Sequence, residues 1–381
     1  MLRRVLLALL AFLILLGGLA VWKRDEIGRL RAVLSLFEAP VIVANFSAMD
    51  RAFLSVTLPR GDGPVSPLPQ GEPMVLDPET EAWIAARTIT ALVVLKDGRI
   101  VHESYRQGTA AGDRRISWSV AKSFLSALFG IVAAEGAFDS LDDPVTKYAP
   151  VLVGSAYDGV TLRQLLTMTS GLRFNEDYLD FGSDINRMGR VLALGRSMDG
   201  FAAGLSERVA EPGARWQYVS IDTHVLGLVI RGATGRGIAG LMAEKVIAPL
   251  GLEADPYYVT DGYGEPFVLG GLNLTTRDYA RFGLMMMRGG AGIVPADWVA
   301  ESTRPQAATP PGALGYGYQW WVPQGAEPGE FMAQGIYGQH IYVDTAAGVV
   351  IASNAADRGF REPGVEAANI ATFRRIAAAL R

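Results

Sequence analysis

The chain has 381 residues, a formal net charge of −4, half of its residues hydrophobic and only 19 % charged. These values exclude a disordered, collagen-like or coiled-coil chain, and they lack the basic excess that a general nucleic-acid binder carries. With no Cys, disulfide scaffolds, thiolate metal sites and Cys nucleophiles are ruled out; the three histidines, His102, His224 and His340, match no metal-ligand spacing, so no metal site is expected.

In chain order, the first element is a leader. Val5 to Trp22 is an unbroken run of 18 uncharged, Leu-rich residues behind Arg3 and Arg4. As a helix it spans roughly 27 Å, close to the ~30 Å hydrocarbon core of a bilayer. Two roles fit residues 1–24: an uncleaved signal anchor, or a signal peptide cut after Gly18-Leu19-Ala20. Basic residues lie on both sides (Lys23, Arg24, Arg29 and Arg31 follow the run), so charge counting does not fix orientation. Short leaders of this kind are export signals, which places the remaining chain outside the cytoplasm: anchored to the inner membrane and periplasmic, or secreted if the leader is cleaved.

Residues 25–78 read as a juxtamembrane helix and linker, because Gly61 to Pro64 and Pro67 to Pro73 are turn-rich. Residues 79–381 read as one globular domain. Pro78 to Ile89 predicts a helix, and Ala91 to Tyr105 two strands around Asp97-Gly98, a hairpin signal. Helices follow at Ser119–Ala134, Thr161–Met168 and Thr223–Ala233. Thr275 with Asp278 resembles a capping box opening a helix through Met287. His340–Asp344 and Val349–Ser353 form a second hairpin across Gly348, and Gly364–Leu380 is a closing amphipathic helix. Strands at both ends with helices between predict an α+β fold, an antiparallel sheet built from both termini and flanked by helices, with an inserted helical subdomain.

Three segments can carry chemistry. Ser119 and Lys122 are one helical turn apart, so the amine can reach the hydroxyl; a helix start also supplies free N–H groups for an oxyanion. Lys122 sits in an otherwise Lys/Arg-free apolar stretch, where a cation is costly to bury without a purpose. Tyr218 with Ser220, just before a helix, is the second segment; a Tyr acts as a base near neutrality only beside a cation, which Lys122 can supply. Gln334 to Gln339 is the third, with two glycines that let backbone approach a ligand at a strand entry. The aromatic group Tyr316, Tyr318, Trp320 and Trp321 reads either as core or as pocket wall.

Together these segments resemble the serine β-lactamase and penicillin-binding-protein superfamily, in its class C-like branch with esterases. Leu141–Pro150, Thr161–Gly171 and Thr276–Gly283 also look familial, and the likeness covers roughly residues 85–381. Phe174–Tyr178, Gln217-Tyr218 and Gly335–Gln339 resemble the 6-aminohexanoate-dimer hydrolases. The resemblance implies an acylated Ser119, a proton-shuttling Lys122, Tyr218 as general base, and an oxyanion hole from the backbone N–H groups of Ser119 and Ile336. It places Tyr178, Ser220, Gln334 and Gly335 against substrate, and it implies no metal or organic cofactor.

The departures narrow the substrate. Ser220 stands where the family usually has Asn, and Ala333-Gln334-Gly335 where it has a cation, a hydroxyl residue and Gly. A lost charge-assisted contact to a substrate carboxylate costs about 1.5–3 kcal/mol, which disfavours β-lactams and peptidoglycan. The aminohexanoate-contacting Asn and Asp of the dimer hydrolases align with Leu269 and Gly189. The expected function is a serine hydrolase of small carboxylesters or amides. The alternatives are a β-lactamase or DD-peptidase, and a catalytically silent membrane-tethered binding module.

Overall fold

A computed structural model describes residues 2–381; Met1 and the side chains at positions 2, 8, 16, 19, 20 and 25 lie outside the described residues. Among these residues eleven strands form two sheets. In chain order they are β1 (Leu54–Thr57), β2 (Ile89–Lys96), β3 (Arg99–Tyr105), β4 (Arg115–Ile116), β5 (Tyr257–Thr260), β6 (Leu272–Leu274), β7 (Gly315–Tyr316), β8 (Trp321–Val322), β9 (Glu330–Gly335), β10 (Gln339–Asp344) and β11 (Val349–Ala355). The large sheet is antiparallel with order β3-β2-β11-β10-β9-β8-β7. The β2–β11 pairing, with Val94 opposite Ile351, joins the two ends of the globular part as expected. A small sheet, β1-β5-β6-β4, was not expected from the pattern; its strands are two to four residues long and give almost no periodicity to read.

β2 is buried along nearly its whole length because both faces of the sheet are covered. Leu92 and Val94 face one layer, with Trp83 from the Pro78–Ala86 helix and Phe373 from the closing helix, Val365–Ala379. Val93 and Leu95 face the larger core, with Phe124 from the Ala121–Ala134 helix and Phe282 from the Thr276–Met287 helix. Phe124 and Phe282 stack with ring centroids 3.6 Å apart. Helices at Leu162–Leu166, Asp184–Ala193, Met198–Ala203 and Ser220–Thr234 make the expected helical insertion.

Several boundaries differ for physical reasons. The Pro78 helix ends at Ala86, because Thr88 takes a positive φ of 51° that turns the chain into β2. The Thr223 helix begins three residues earlier, at Ser220. Thr275 caps its helix by accepting from the Asp278 N–H, but the Asp278 carboxylate turns instead to the Glu253 N–H and Arg281. The complete capping box lies at Thr161 and Gln164.

The leader is helical over Leu2–Trp22, its apolar side chains exposed wherever they are described. Among the described residues no single helix is long and apolar enough to cross a membrane; four interior side chains of the leader, two of them at the expected cleavage site, lie outside the described residues. The helix expected next spans Arg24–Leu34. The rest of 25–78 is not the open linker that its Pro and Gly content suggested. Leu36, Ile42, Phe46, Met49 and Leu58 are buried in the larger core, and β1 pairs with β5.

Gly283 sets the distance between the Thr276–Met287 helix and the sheet: a Cβ there would lie 2.6 Å from Val350 Cγ1 and 2.7 Å from Ile341 Cγ2, both on stiff β-branched side chains. Gly283→Ala is expected to cost about 1–3 kcal/mol through overpacking, read as a lower urea midpoint with an unchanged m value.

Candidate active site

Ser119 lies in a single 3₁₀ turn, Trp118–Val120, that feeds the Ala121–Ala134 helix. Trp118 precedes it at φ 41°, a left-handed conformation that is strained for a bulky residue. The Trp118 ring is held by Phe46, 5.6 Å away edge-on, and by Phe37 and Tyr337. The turn is thus fixed by packing, and it presents Ser119 to a cleft of about 210 Å3.

Lys122 is one turn further on and only 1 % exposed. Its Nζ lies 3.1 Å from Ser119 Oγ, 3.4 Å from Ser220 Oγ and 2.8 Å from the Leu269 carbonyl. Burial lowers the pKa of this amine to about 7, against the opposing pull of Glu176 and Asp222. Near neutrality it exists both as an acceptor and as a donor, which is what a proton-transfer group requires.

Tyr218 completes the cluster. Its hydroxyl hydrogen-bonds with Ser119 and Ser220, its ring stacks on Trp321 at 5.3 Å, and Lys122 Nζ is 5.2 Å from the ring centroid. Burial drives its pKa above the ordinary phenol value, an effect larger than the hydrogen bonds that oppose it. Burial thus moves the two groups in opposite directions, the Lys122 amine toward its neutral form and the Tyr218 phenol away from the phenolate that the expected base role requires.

Gly335 explains why β9 ends beside the nucleophile. A Cβ at this position would sit 2.6 Å from the Ser117 carbonyl oxygen and 2.9 Å from the Ser119 nitrogen. Only a residue without Cβ lets the strand lie this close to the start of the helix, bringing the backbone at Ile336 beside Ser119. Gln334, Gly335 and Ile336 all line the cleft with Ser119, Tyr178 and Tyr218. Ala333 faces the other way, into the core. Among the lining residues none is Lys or Arg, and His340 is held neutral by burial, its pKa pushed down to about 4. Trp321 lines the cleft, whereas Tyr316, Tyr318 and Trp320 are core.

Glu176 is the residue that sequence reasoning missed, although it lies within the Phe174–Tyr178 segment. Its carboxylate accepts from the Ser220 N–H at 2.5 Å, from the Ser220 hydroxyl at 3.2 Å and from the Tyr178 hydroxyl at 3.0 Å. Burial raises its pKa, opposed by the attraction of Lys122. The signal was a Glu in a loop whose neighbours were already of interest, but nothing in the spacing ties position 176 to 220. Leu269 meets Lys122 only through its carbonyl, and Gly189 sits with open space around it on the Asp184–Ala193 helix, so neither supplies a polar side chain to substrate.

A Ser–Lys–Tyr cluster between a helical insertion and the end of β9 in a seven-stranded antiparallel sheet is the arrangement of a class of serine hydrolase. The Beta-lactamase family model matches residues 82–372; the chain belongs to that family and is a serine hydrolase. It is 32 % identical over 294 residues to the 6-aminohexanoate-dimer hydrolase of Paenarthrobacter ureafaciens, covering 72 % of this chain and 74 % of that protein. It is 35 % identical over 153 residues to esterase EstB of Burkholderia gladioli, covering 33 % of this chain and 37 % of the esterase. In fold it is similar to a Bacillus anthracis protein assigned as a 6-aminohexanoate-dimer hydrolase, with a TM-score of 0.79 and 24 % identity over 91 % of this chain and 96 % of that one.

Two outcomes are expected from the electrostatics. If neutral Lys122 takes the Ser119 proton, kcat/KM on a hydrolysed substrate should rise about tenfold per pH unit below its midpoint and level off above about pH 7. Glu176→Gln removes a charge that holds the Lys122 pKa up, so the same profile should move to lower pH. A lower rate with an unmoved midpoint would make Glu176 a packing residue only.

Proposed function

We propose that this chain hydrolyses small carboxylesters or amides through an acyl-enzyme on Ser119. The observation that carries the reading is the desolvated Lys122 amine 3.1 Å from Ser119 Oγ. Neutral Lys122 accepts the Ser119 proton as the oxygen attacks the substrate carbonyl. The N–H groups of Ser119 and Ile336 stabilise the oxyanion. Tyr218, a neutral phenol, passes a proton to the departing alkoxide or amine and is replenished from Lys122. Water then enters, its proton moves back along the same groups, and the Ser119 ester is cleaved. Tyr178, Ser220, Gln334 and Gly335 are the proposed substrate contacts.

Support for esters and amides comes from the relatives, one named for an amide-linked dimer and one an esterase. Against β-lactams stands the lack of any Lys or Arg among the lining residues, which leaves a substrate carboxylate without a charge-assisted partner, a loss of about 1.5–3 kcal/mol. The leader is proposed as a membrane anchor that holds the hydrolase outside the cytoplasm; its support is the run of 18 uncharged residues and the exposure of its described side chains.

The test is turnover of a p-nitrophenyl ester panel beside a chromogenic cephalosporin. The expected result is ester hydrolysis that Ser119→Ala lowers by about 10³-fold or more, with little cephalosporin cleavage. Rapid cephalosporin cleavage would transfer the chain to the β-lactamase side. An ester rate unchanged by Ser119→Ala would refute the nucleophile, and a Ser119 that no acyl probe modifies would favour a binding module.

A further inference from the structure

Tyr178 and Phe360 line the cleft, and an aromatic rim continues from them to Tyr337 and Phe37 outside it. Phe37 stacks on Tyr337 at 5.1 Å, Tyr337 meets Phe360 at 4.7 Å, and Phe360 meets Tyr178 at 6.2 Å. One end of this rim, Phe37, lies three residues beyond the Arg24–Leu34 helix that follows the leader. The other end, Tyr178, begins a loop whose next apolar residues point into solvent: Leu179 is 83 % and Phe181 77 % exposed. The Arg24–Leu34 helix, which itself exposes Leu30 and Leu34, packs against the Asp184–Ala193 helix that supports the loop. Leader exit, cleft mouth and exposed apolar loop therefore share one side of the molecule.

The exposure of Leu179 and Phe181 is built, not a consequence of slack chain. Asp177 accepts from the Leu179 N–H at 3.0 Å and Asp180 from the Gly182 N–H at 2.8 Å. Asn186 Nδ2 donates to the carbonyls of Tyr178 and Asp180, and Arg190 to that of Phe181, its guanidinium 4.1 Å from the Phe181 ring. A loop held this firmly keeps two large apolar side chains in water at a standing hydrophobic cost, which a bilayer interface removes. An aromatic ring beside an Arg suits the headgroup layer, apolar body inward and charge outward.

We propose that the cleft mouth faces a phospholipid bilayer, with Leu179 and Phe181 entering its headgroup layer, and that the substrates are esters or amides of amphiphiles presented by that bilayer. This rests on the hydrolase and anchor readings above. It accounts for the rings at the mouth, among which Glu366 and Arg361 supply charge at headgroup level, and for a cleft small enough that only the acyl or alcohol end next to the scissile bond need enter it.

Because the chain has no Cys, a single one can be introduced and labelled. The full chain is reconstituted into vesicles of phosphatidylcholine and phosphatidylglycerol, with an environment-sensitive fluorophore on Phe181→Cys or, for comparison, on Val153→Cys, which is 65 % exposed on another turn. The expected result is a blue-shifted emission quenched by headgroup-level spin-labelled lipid at 181 and an aqueous, unquenched emission at 153. Retention on the vesicles with both probes aqueous would overturn the docking and leave the anchor standing; failure to stay with the vesicles would refute the anchor and the docking with it. In parallel, the double variant Leu179→Asp with Phe181→Asp should lower turnover of a vesicle-borne long-chain p-nitrophenyl ester at least tenfold and leave turnover of a soluble short-chain ester unchanged. Equal loss on both esters would also overturn the proposal. If the unmodified chain turned over neither, the hydrolase reading would fail and the 181 probe alone would decide the docking.

Discussion

The rest of the site depends on keeping one amine out of water. Lys122 lies on an apolar helix and is almost fully buried. An unpaired ammonium in such a place is costly, and a protein relieves that cost by hydrogen bonds, by nearby anions or by losing the proton. Hydrogen bonds and anions are both present, and burial favours loss of the proton. The Leu269 carbonyl and the hydroxyls of Ser119 and Ser220 take its hydrogen bonds. Glu176 and Asp222 supply negative charge, and burial still wins, setting the pKa near 7. Asp222 is itself pushed up to about 7 by burial and accepts from the Tyr157 hydroxyl. That balance leaves the amine 3.1 Å from Ser119 Oγ poised between its neutral and charged forms near neutral pH.

The scaffold serves this balance through rigid backbone. Three features bring β9 and the Ser119 turn together: the left-handed Trp118, the aromatic packing that holds it, and the missing side chain at Gly335. The helix behind Ser119 is tied down as well, Ser123 and Ser126 donating to the carbonyls of Gln319 and Tyr318. Both faces of the large sheet are buried, so the placing of β9 is fixed by two cores rather than one. Rigid elements of this kind hold a reactive geometry better than loops do.

Sequence reasoning reached the sheet and the Ser119–Lys122 pair because their signals are local. Asp97-Gly98 marks a turn, and Ser119 with Lys122 is a helical spacing. What escaped it is non-local. β1 and β4 are short strands whose pairing depends on residues about two hundred and one hundred and sixty positions away. Residues 36–58 join the core although the Pro- and Gly-rich stretch beyond them reads as linker. Glu176 acquires its meaning only when the loop carrying it folds against Ser220. Tyr218 illustrates a further limit: residue type and order suggest a phenol near a cation, but that burial moves the two groups in opposite directions is legible only in the fold.

The account stands or falls on the protonation of Lys122 in the resting protein. The chain has only five lysines, so a carbon-13 lysine label gives a spectrum in which the Lys122 Cε signal can be assigned by its loss in Lys122→Met. The account predicts that this signal titrates near pH 7. A Lys122 signal that stays protonated until about pH 10 would contradict it.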